Sequence, residues 1–462
     1  MLVKNFRRLA FLLTPLLFIA VLALIYHSRY SVRLHAQSGG WPSDVVEATV
    51  DGHHSSFVGQ DKPSWLAPFR KYDSSQQTIS DTHIEVFSVS TKSGKYFSID
   101  FGAEDAINPS IIPHPTQPET WIIVAQLQRS TINNSVWFAE LVCDAKFKKG
   151  KLACIKSPKI LPIAATIGDK CVGDLSYFAL NIGPHDARVF YGPSSPYVVF
   201  GSNSAYTCFG QWIQDFRMLV DWGYEPVVGN EFRMATELQR PPPLGLIEKN
   251  WFVFWDKHGE VYAHYDIAPN RVYAKLGYDG SVGQDLAPLA RYSDEKCMQR
   301  YMPKVAEQLE SIHQATNSLS VTLCKRSDLT CEPNDSNTYI LSIFQHKSFY
   351  SFHSVYEPYV MLFKRTSPFE LHAISSKPIW IHGRGKAGEK RPKGPEFESL
   401  ETWNQTEMFY VTSITWKSQG QKYHGYSDDV LFINFGIEDL KTAGIDIVAG
   451  ELLKDIGLCS SA

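Results

Sequence analysis

The sequence predicts an all-β body carried behind a single N-terminal apolar segment. From about residue 82 the chain breaks into short aromatic and β-branched runs separated by Gly, Pro, Asn and Asp clusters, the pattern of strands and turns. Strands do not alternate with long helices, which disfavours a doubly wound nucleotide-binding sheet. The chain has 462 residues, 44% hydrophobic, 13% aromatic and 20% charged. That is enough apolar surface for a large core and too little charge for disorder. A body of this length built from short strands fits a pair of sandwiches or a propeller. No crisp internal repeat sets a blade count.

The N-terminus fixes the expected compartment. Residues 1–8 hold Lys4, Arg7 and Arg8, and residues 9–26 form an apolar run interrupted only by Thr14 and Pro15. At 1.5 Å per residue that run spans about 27 Å, enough for a thin bilayer. It is longer than the apolar core of most cleaved signals, and Leu34-His35-Ala36 lacks the small residue that cleavage needs at its first position. The reading is therefore a cytosolic tail (1–8), a signal-anchor transmembrane helix (9–26), a polar lumenal stem (27–81) and a body over 82–462. The net charge is −3, yet residues 1–40 contain five bases and no acid, so the body is the acidic part. An acidic body argues against nucleic acid as the main partner, because neutralising phosphates takes a clustered basic surface.

All eight cysteines, at 143, 154, 171, 208, 297, 324, 331 and 459, follow the apolar run. The spacings of Cys143/Cys154 and Cys324/Cys331 suit local loops, and Cys171/Cys208 can pair. Without a C-x-x-C a zinc or thioredoxin-like site is disfavoured. Glycosylation sequons stand at Asn133, Asn334 and Asn404. Together these features place the body in the secretory pathway, and a Golgi membrane protein with a lumenal body is the expectation.

Strands are expected at 120–127, 136–143, 197–201, 251–255, 261–267, 339–344, 359–365, 408–416 and 430–435. Helix is expected at 295–315 and over part of 436–453.

Several segments have the composition of a site. Gly183-Pro184-His185-Asp186-Ala187-Arg188 feeds a strand pair and sets Asp186 and Arg188 two residues apart, hence on one strand face. An arginine there holds a carboxylate ionised or binds a phosphate beside it; the plain alternative is a surface ion pair. Glu248-Lys249-Asn250-Trp251 opens a hairpin whose second strand carries His264, so Lys249 and His264 can meet a phosphate. Trp251 and Trp255 either face a sugar or fill the core. In Tyr423–Asp429 the adjacent Asp428 and Asp429 point to opposite faces, so at most one serves a site. Gly383-Arg384-Gly385-Lys386-Ala387-Gly388 matches G-x-G-x-x-G, but the proline-broken stretch after it cannot open a helix, and the dinucleotide reading fails. Its basic loop (Arg384, Lys386, Lys390, Arg391, Lys393) suits a diphosphate, a membrane surface or plain solvation. The chain contains no D-x-D, so a leaving diphosphate would be neutralised by Lys, Arg and His rather than by a metal ion.

At these residues the sequence resembles a known family. Gly183–Phe190 is similar to the G-x-E-D-P-R-V-F segment of the fungal β-1,2-mannosyltransferases, glycosyltransferase family 91, with His185 and Ala187 in place of Glu and Pro. Glu248-Lys249-Asn250-Trp251 resembles their E-K-N-W stretch. Related segments occur in glycoside hydrolase and phosphorylase family 130, five-bladed β-propellers acting on β-mannosides, whose D-P-R motif carries the catalytic acid. Asn108-Pro109-Ser110 and Tyr423–Asp429 resemble first-blade and last-blade motifs of that group. The resemblance implies a five-bladed propeller and an inverting transfer of mannose from GDP-mannose to a glycan without a metal cofactor. Asp186 would move the proton, Arg188 and Lys249 would bind phosphate, and His264, Asn108 and Asp428 would contact sugar or phosphate. Two alternatives stand beside it: a hydrolase or phosphorylase of β-mannosides on the same propeller, and a non-catalytic lumenal glycan-binding propeller.

Overall fold

The computed structural model describes residues 79–128, 137–180, 182–223, 231–350, 353–398, 400 and 402–461. The tail, the signal-anchor at 9–26, almost all of the stem and the Asn133 sequon lie outside the described residues. Among the described residues no helix is long and apolar enough to cross a membrane.

The described body is dominated by β-strands, as expected. Antiparallel meanders follow one another along the chain. The first runs through Ala106–Pro113, Trp121–Leu127 and Glu140–Lys148. Next come His185–Tyr191, Pro196–Asn203, Phe209–Asp215 and the short Thr236–Glu237. A three-stranded sheet, Phe252–Trp255, Val261–Asp266 and Val272–Lys275, comes third. Leu319–Thr322, Thr338–Tyr350, His353–Lys364 and Leu371–Ser375 make another, and Phe409–Trp416, Val430–Ile437 and Lys441–Val448 the last.

The early strand Phe97–Asp100 lies antiparallel to Lys441–Val448 and parallel to Lys151–Cys154. It therefore joins the last meander to the first in one nine-stranded sheet, tying the two ends of the described body together. Many strands are buried on both faces; Pro196–Asn203 has no exposed residue. That is why they read as continuous apolar runs and not as alternating ones.

Three of the meanders share a backbone feature that the sequence does not disclose. In Ala106–Pro113 the register moves from Ile107 opposite Gln126 to Ser110 opposite Val124, so Asn108 and Pro109 together oppose one partner residue. In His185–Tyr191 it moves from His185 opposite Gly201 to Arg188 opposite Val199, and Asp186 and Ala187 are the extra pair. Phe409–Trp416 has a similar slip between Val411 and Ser413. Each is a β-bulge on the first strand of a meander, a device that bends a strand and re-aims its side chains. These first strands are bonded to one another: Ser110 Oγ accepts from the Val189 amide at 3.1 Å, and Thr412 Oγ1 donates to the Pro109 carbonyl.

Both helix expectations need correction. The helix is Arg291–Tyr301, ending at Met302, whose extended backbone (ψ 139°) is what a following proline imposes. Beyond it, Glu310–Gln314 is a strand on the long Thr338–Tyr350 strand. Most of 436–453 is the hairpin of the last meander, turned at Glu438 and Asp439 (φ 52° and 47°), with one helical turn at Ala449–Leu452. The four disulfides are 143–154, 171–208, 324–331 and 297–459.

Candidate functional site

The bulges build the site. Asn108 and Asp186 both take the left-handed conformation, with φ 54° and 51°. Asn and Asp tolerate that region better than other residues with a side chain. Asn250, just ahead of the third sheet, joins them at φ 65°. Chain segments far apart in sequence thereby bring short polar side chains together. The Asn108 amide donates to Asp186 Oδ1 at 2.7 Å, and Arg188 Nη2 donates to Asn250 Oδ1 at 2.7 Å. Tyr410, from the last meander, donates to the same Asn250 oxygen at 3.4 Å.

Asp186, Arg188 and Asn250 open on a cleft of about 500 Å³ whose lining also includes Phe178, His185 and Lys249. Arg188 is buried, 5% exposed, so its charge acts in a medium poorer than water. Lys249 is exposed at the rim, with no ion pair among the described residues. Behind the carboxylate, Gln126 Oε1 accepts the Asp186 amide at 2.9 Å and Glu140 Oε1 accepts the Ala187 amide at 3.1 Å. Burial pushes the Glu140 carboxyl well above the usual range; the Ala187 amide opposes this and the Asp186 charge adds to it. The shift favours the neutral form of Glu140, which stands beside an aspartate. Burial also raises the Tyr410 hydroxyl, against the pull of Arg188.

The structure thus brings together four of the sequence-predicted residues: Asn108, Asp186, Arg188 and Lys249. His264 is elsewhere. It is fully buried, stacked on Phe252 at 4.8 Å, bonded to Gln314 and receiving Arg271 Nε at 3.1 Å. Burial, with the Arg271 charge adding to it, drives its pKa well below the ordinary value, so it is a neutral core group and does not line the cleft. Its strand is buried on both faces, which the run Val-Tyr-Ala-His-Tyr did not disclose. Asp428 is a loop clamp: it accepts from the Arg326 amide at 2.6 Å and from the Ser327 hydroxyl at 3.0 Å, beside the 324–331 disulfide loop.

Trp251 and Trp255 are core side chains, 3% and 5% exposed. Glu248 holds the hairpin entry through Arg240 at 3.2 Å and the Gly245 amide. In the basic loop Arg384 is buried against Glu357 and the Glu407 carbonyl, and Lys390 pairs with Glu407. That loop spends much of its charge internally. Asn334 and Asn404 are exposed, as a sequon requires.

Sequence reasoning missed Gln126, Glu140 and Tyr410. Glu140 offered one signal, a lone carboxylate inside an apolar strand run. Asn250 stood in the E-K-N-W stretch without an assigned role.

No protein-family profile matches the chain, and no curated protein matches its sequence, so the resemblance described above rests on its motifs. Among solved structures, a β-1,2-mannobiose phosphorylase from Listeria innocua superposes with a TM-score of 0.41 at 11% identity, over 80% of this chain and 96% of that one. A GDP-Man-dependent mannosyltransferase from Leishmania mexicana gives 0.38 at 9%, over 76% and 89%. A glycosyl hydrolase from Bacteroides ovatus gives 0.35 at 9%, over 79% and 91%. Superpositions of this extent leave the function of the site to its own residues.

Proposed function

We propose that the successive meanders are the blades of a five-bladed propeller and that the cleft transfers mannose from GDP-mannose to a glycan with inversion. The observation that carries the reading is one arrangement: an aspartate fixed by Asn108, two residues from a buried arginine, with Lys249 at the same rim. A carboxylate beside separate cationic groups is what a displacement at a sugar carbon with an anionic leaving group requires.

In the proposed step the acceptor hydroxyl oxygen forms a bond to C1 of mannose. The C1–O bond to the diphosphate breaks and its electron pair leaves with GDP. The hydroxyl proton passes to the Asp186 carboxylate. Attack opposite the leaving group turns an α-linked donor into a β-linked product. Asn108 occupies Oδ1 and leaves Oδ2 to take the proton. Arg188 and Lys249 stabilise the departing diphosphate, the role a metal ion takes in many transferases. Asn250 and Tyr410 hold the arginine. In the cell this reading places the protein as a single-pass Golgi membrane protein with the body in the lumen.

The test uses the full-length chain purified from a secretory host in detergent, with GDP-mannose and a panel of mannosides, with and without EDTA. Gain of one hexose by an acceptor, surviving EDTA and lost in Asp186→Asn, supports the reading. Cleavage of β-mannosides by water or phosphate, without transfer from GDP-mannose, replaces it with a hydrolase or phosphorylase. Glycan binding without turnover of any donor makes the cleft a binding site only.

A further inference from the structure

The bulge at Asp186 leaves an accounting problem that two side chains of the neighbouring meander solve. Asp186 and Ala187 share one opposing residue, so their amides fall out of the normal ladder. A buried amide without an acceptor costs about 1–3 kcal/mol. Gln126 and Glu140 stand directly opposite each other on adjacent strands of the first meander, which puts their side chains on one face. Both are buried, at 8% and 0% exposure. Gln126 takes the Asp186 amide and Glu140 takes the Ala187 amide. Two consecutive amides of one meander are thus received by a cross-strand pair from another.

We propose that Glu140 and Gln126 are the positioning residues of Asp186: they hold its backbone left-handed, and so aim its carboxylate into the cleft. Their acceptor oxygens do this work, and no charge on Glu140 is needed. Its second oxygen, Oε2, is buried without a hydrogen-bond partner among the described residues, as suits a neutral carboxyl better than an ionised one. A negative charge there would also oppose the charge that Asp186 must keep. The carboxamide of glutamine presents the same acceptor without a charge, so Glu140→Gln preserves the function assigned here and Glu140→Leu removes it.

The assignment rests on Asp186 being the proton acceptor proposed above, and the experiment separates the two. Crystal structures and steady-state kinetics with GDP-mannose are obtained for the full-length chain and for Glu140→Gln, Glu140→Leu and Gln126→Leu. In Glu140→Gln, Asp186 is expected to keep its positive φ and its bond to Asn108, with kcat within about threefold of the parent. In Glu140→Leu, Asp186 is expected to leave that conformation and kcat to fall about 100-fold while KM for GDP-mannose stays within about threefold, as for a misplaced group and not a lost binding contact. Gln126→Leu is read in the same way and decides the matter if Glu140→Leu does not fold. The assignment is overturned if the leucine variants keep the Asp186 conformation. It is overturned too if Glu140→Gln loses as much turnover as Glu140→Leu, since the carboxyl itself would then be required. If the parent turns over no donor, the proposed function fails and the crystal structures alone judge the positioning.

Discussion

Asn108 and Asp186 stand 78 residues apart in sequence, yet the Asn108 amide donates to the Asp186 carboxylate at 2.7 Å. Each sits at a bulge on the first strand of its own meander, in a backbone conformation few residues with side chains adopt. The bond is one bulge speaking to the next. It fixes which carboxylate oxygen faces a donor.

Asp186→Asn should keep the fold and abolish proton transfer. The shape and the Asn108 contact survive, but the amide is not a base. Turnover with GDP-mannose is expected to fall about 10²–10⁴-fold, the usual contribution of a general base. Unchanged turnover would remove Asp186 from the mechanism.

Arg188→Lys tests the cationic side of the cleft. Lysine keeps the charge but not the planar fork that reaches Asn250 at 2.7 Å. The expected result is a rise of about tenfold or more in KM for GDP-mannose, equivalent to about 1.4 kcal/mol of lost binding. Lys249→Ala should weaken binding too, and by less at high salt, because Lys249 is exposed at the rim. Isothermal titration with GDP-mannose at two ionic strengths checks both.

Glu140 makes stability depend on pH in a stated direction. Its pKa in the folded protein is raised well above 4.5, so above that pH the folded state binds more protons than the unfolded one. Stability contributed by the neutral carboxyl is complete below the unfolded pKa and is lost as pH rises through the folded pKa. In Glu140→Gln this loss is absent. Urea denaturation across pH 5 to 8 should show the variant gaining on the parent as pH rises, by about 1.4 kcal/mol per pH unit until the folded carboxyl ionises. A constant difference would refute the upward shift of the Glu140 carboxyl.

His264 acts in the opposite sense. It is buried neutral, so acid favours the unfolded chain, where the imidazole is free to charge. Its contribution is lost as pH falls from about 6.5 toward the lowered folded value. His264→Phe keeps the stack on Phe252 but takes the imidazole away from Gln314 Oε1 and Arg271 Nε. It should cost about 2–4 kcal/mol at pH 7, and a smaller penalty at pH 5 than at pH 7 checks the sign. Turnover per folded molecule should be unchanged, since the imidazole does not line the cleft.

The disulfide between Cys297 and Cys459 joins the helix Arg291–Tyr301 to the end of the described body, across a separation of 162 residues. Replacing both cysteines by serine should cost about 2–5 kcal/mol, the range for native bridges that close long loops. Thermal unfolding of the double variant measures it. Loss of this bridge should leave the cleft, which it does not touch, able to bind GDP-mannose.

The strand content was legible because burial on both faces leaves long apolar runs between turn residues. Trp121–Leu127 and Phe409–Trp416 fell within one residue of their expected starts. The helix expected over 295–315 failed for a local reason, Pro303, and a tertiary one, the partner strand waiting at 344–348. For the site, the period of two predicted Asp186 and Arg188 on one face, but it is the bulge at Asp186 and Ala187, which breaks that period, that lets both line the cleft. The period also proposed His264, and there it misled, because alternation cannot tell a cleft wall from a sheet interior.

The sequence by itself determined the all-β class, the acidic body and its cysteine-bearing character, and the strand that carries both Asp186 and Arg188. These follow from composition and from periods that act over a few residues. Only the tertiary structure decided that Asn108 bonds Asp186, that Asn250 and Tyr410 hold Arg188, and that Glu140 is buried and grips the bulge. Those facts depend on which strands end up facing one another and on how completely water is excluded between them. Both are properties of the packed body, set by contacts scores of residues apart that no local pattern encodes.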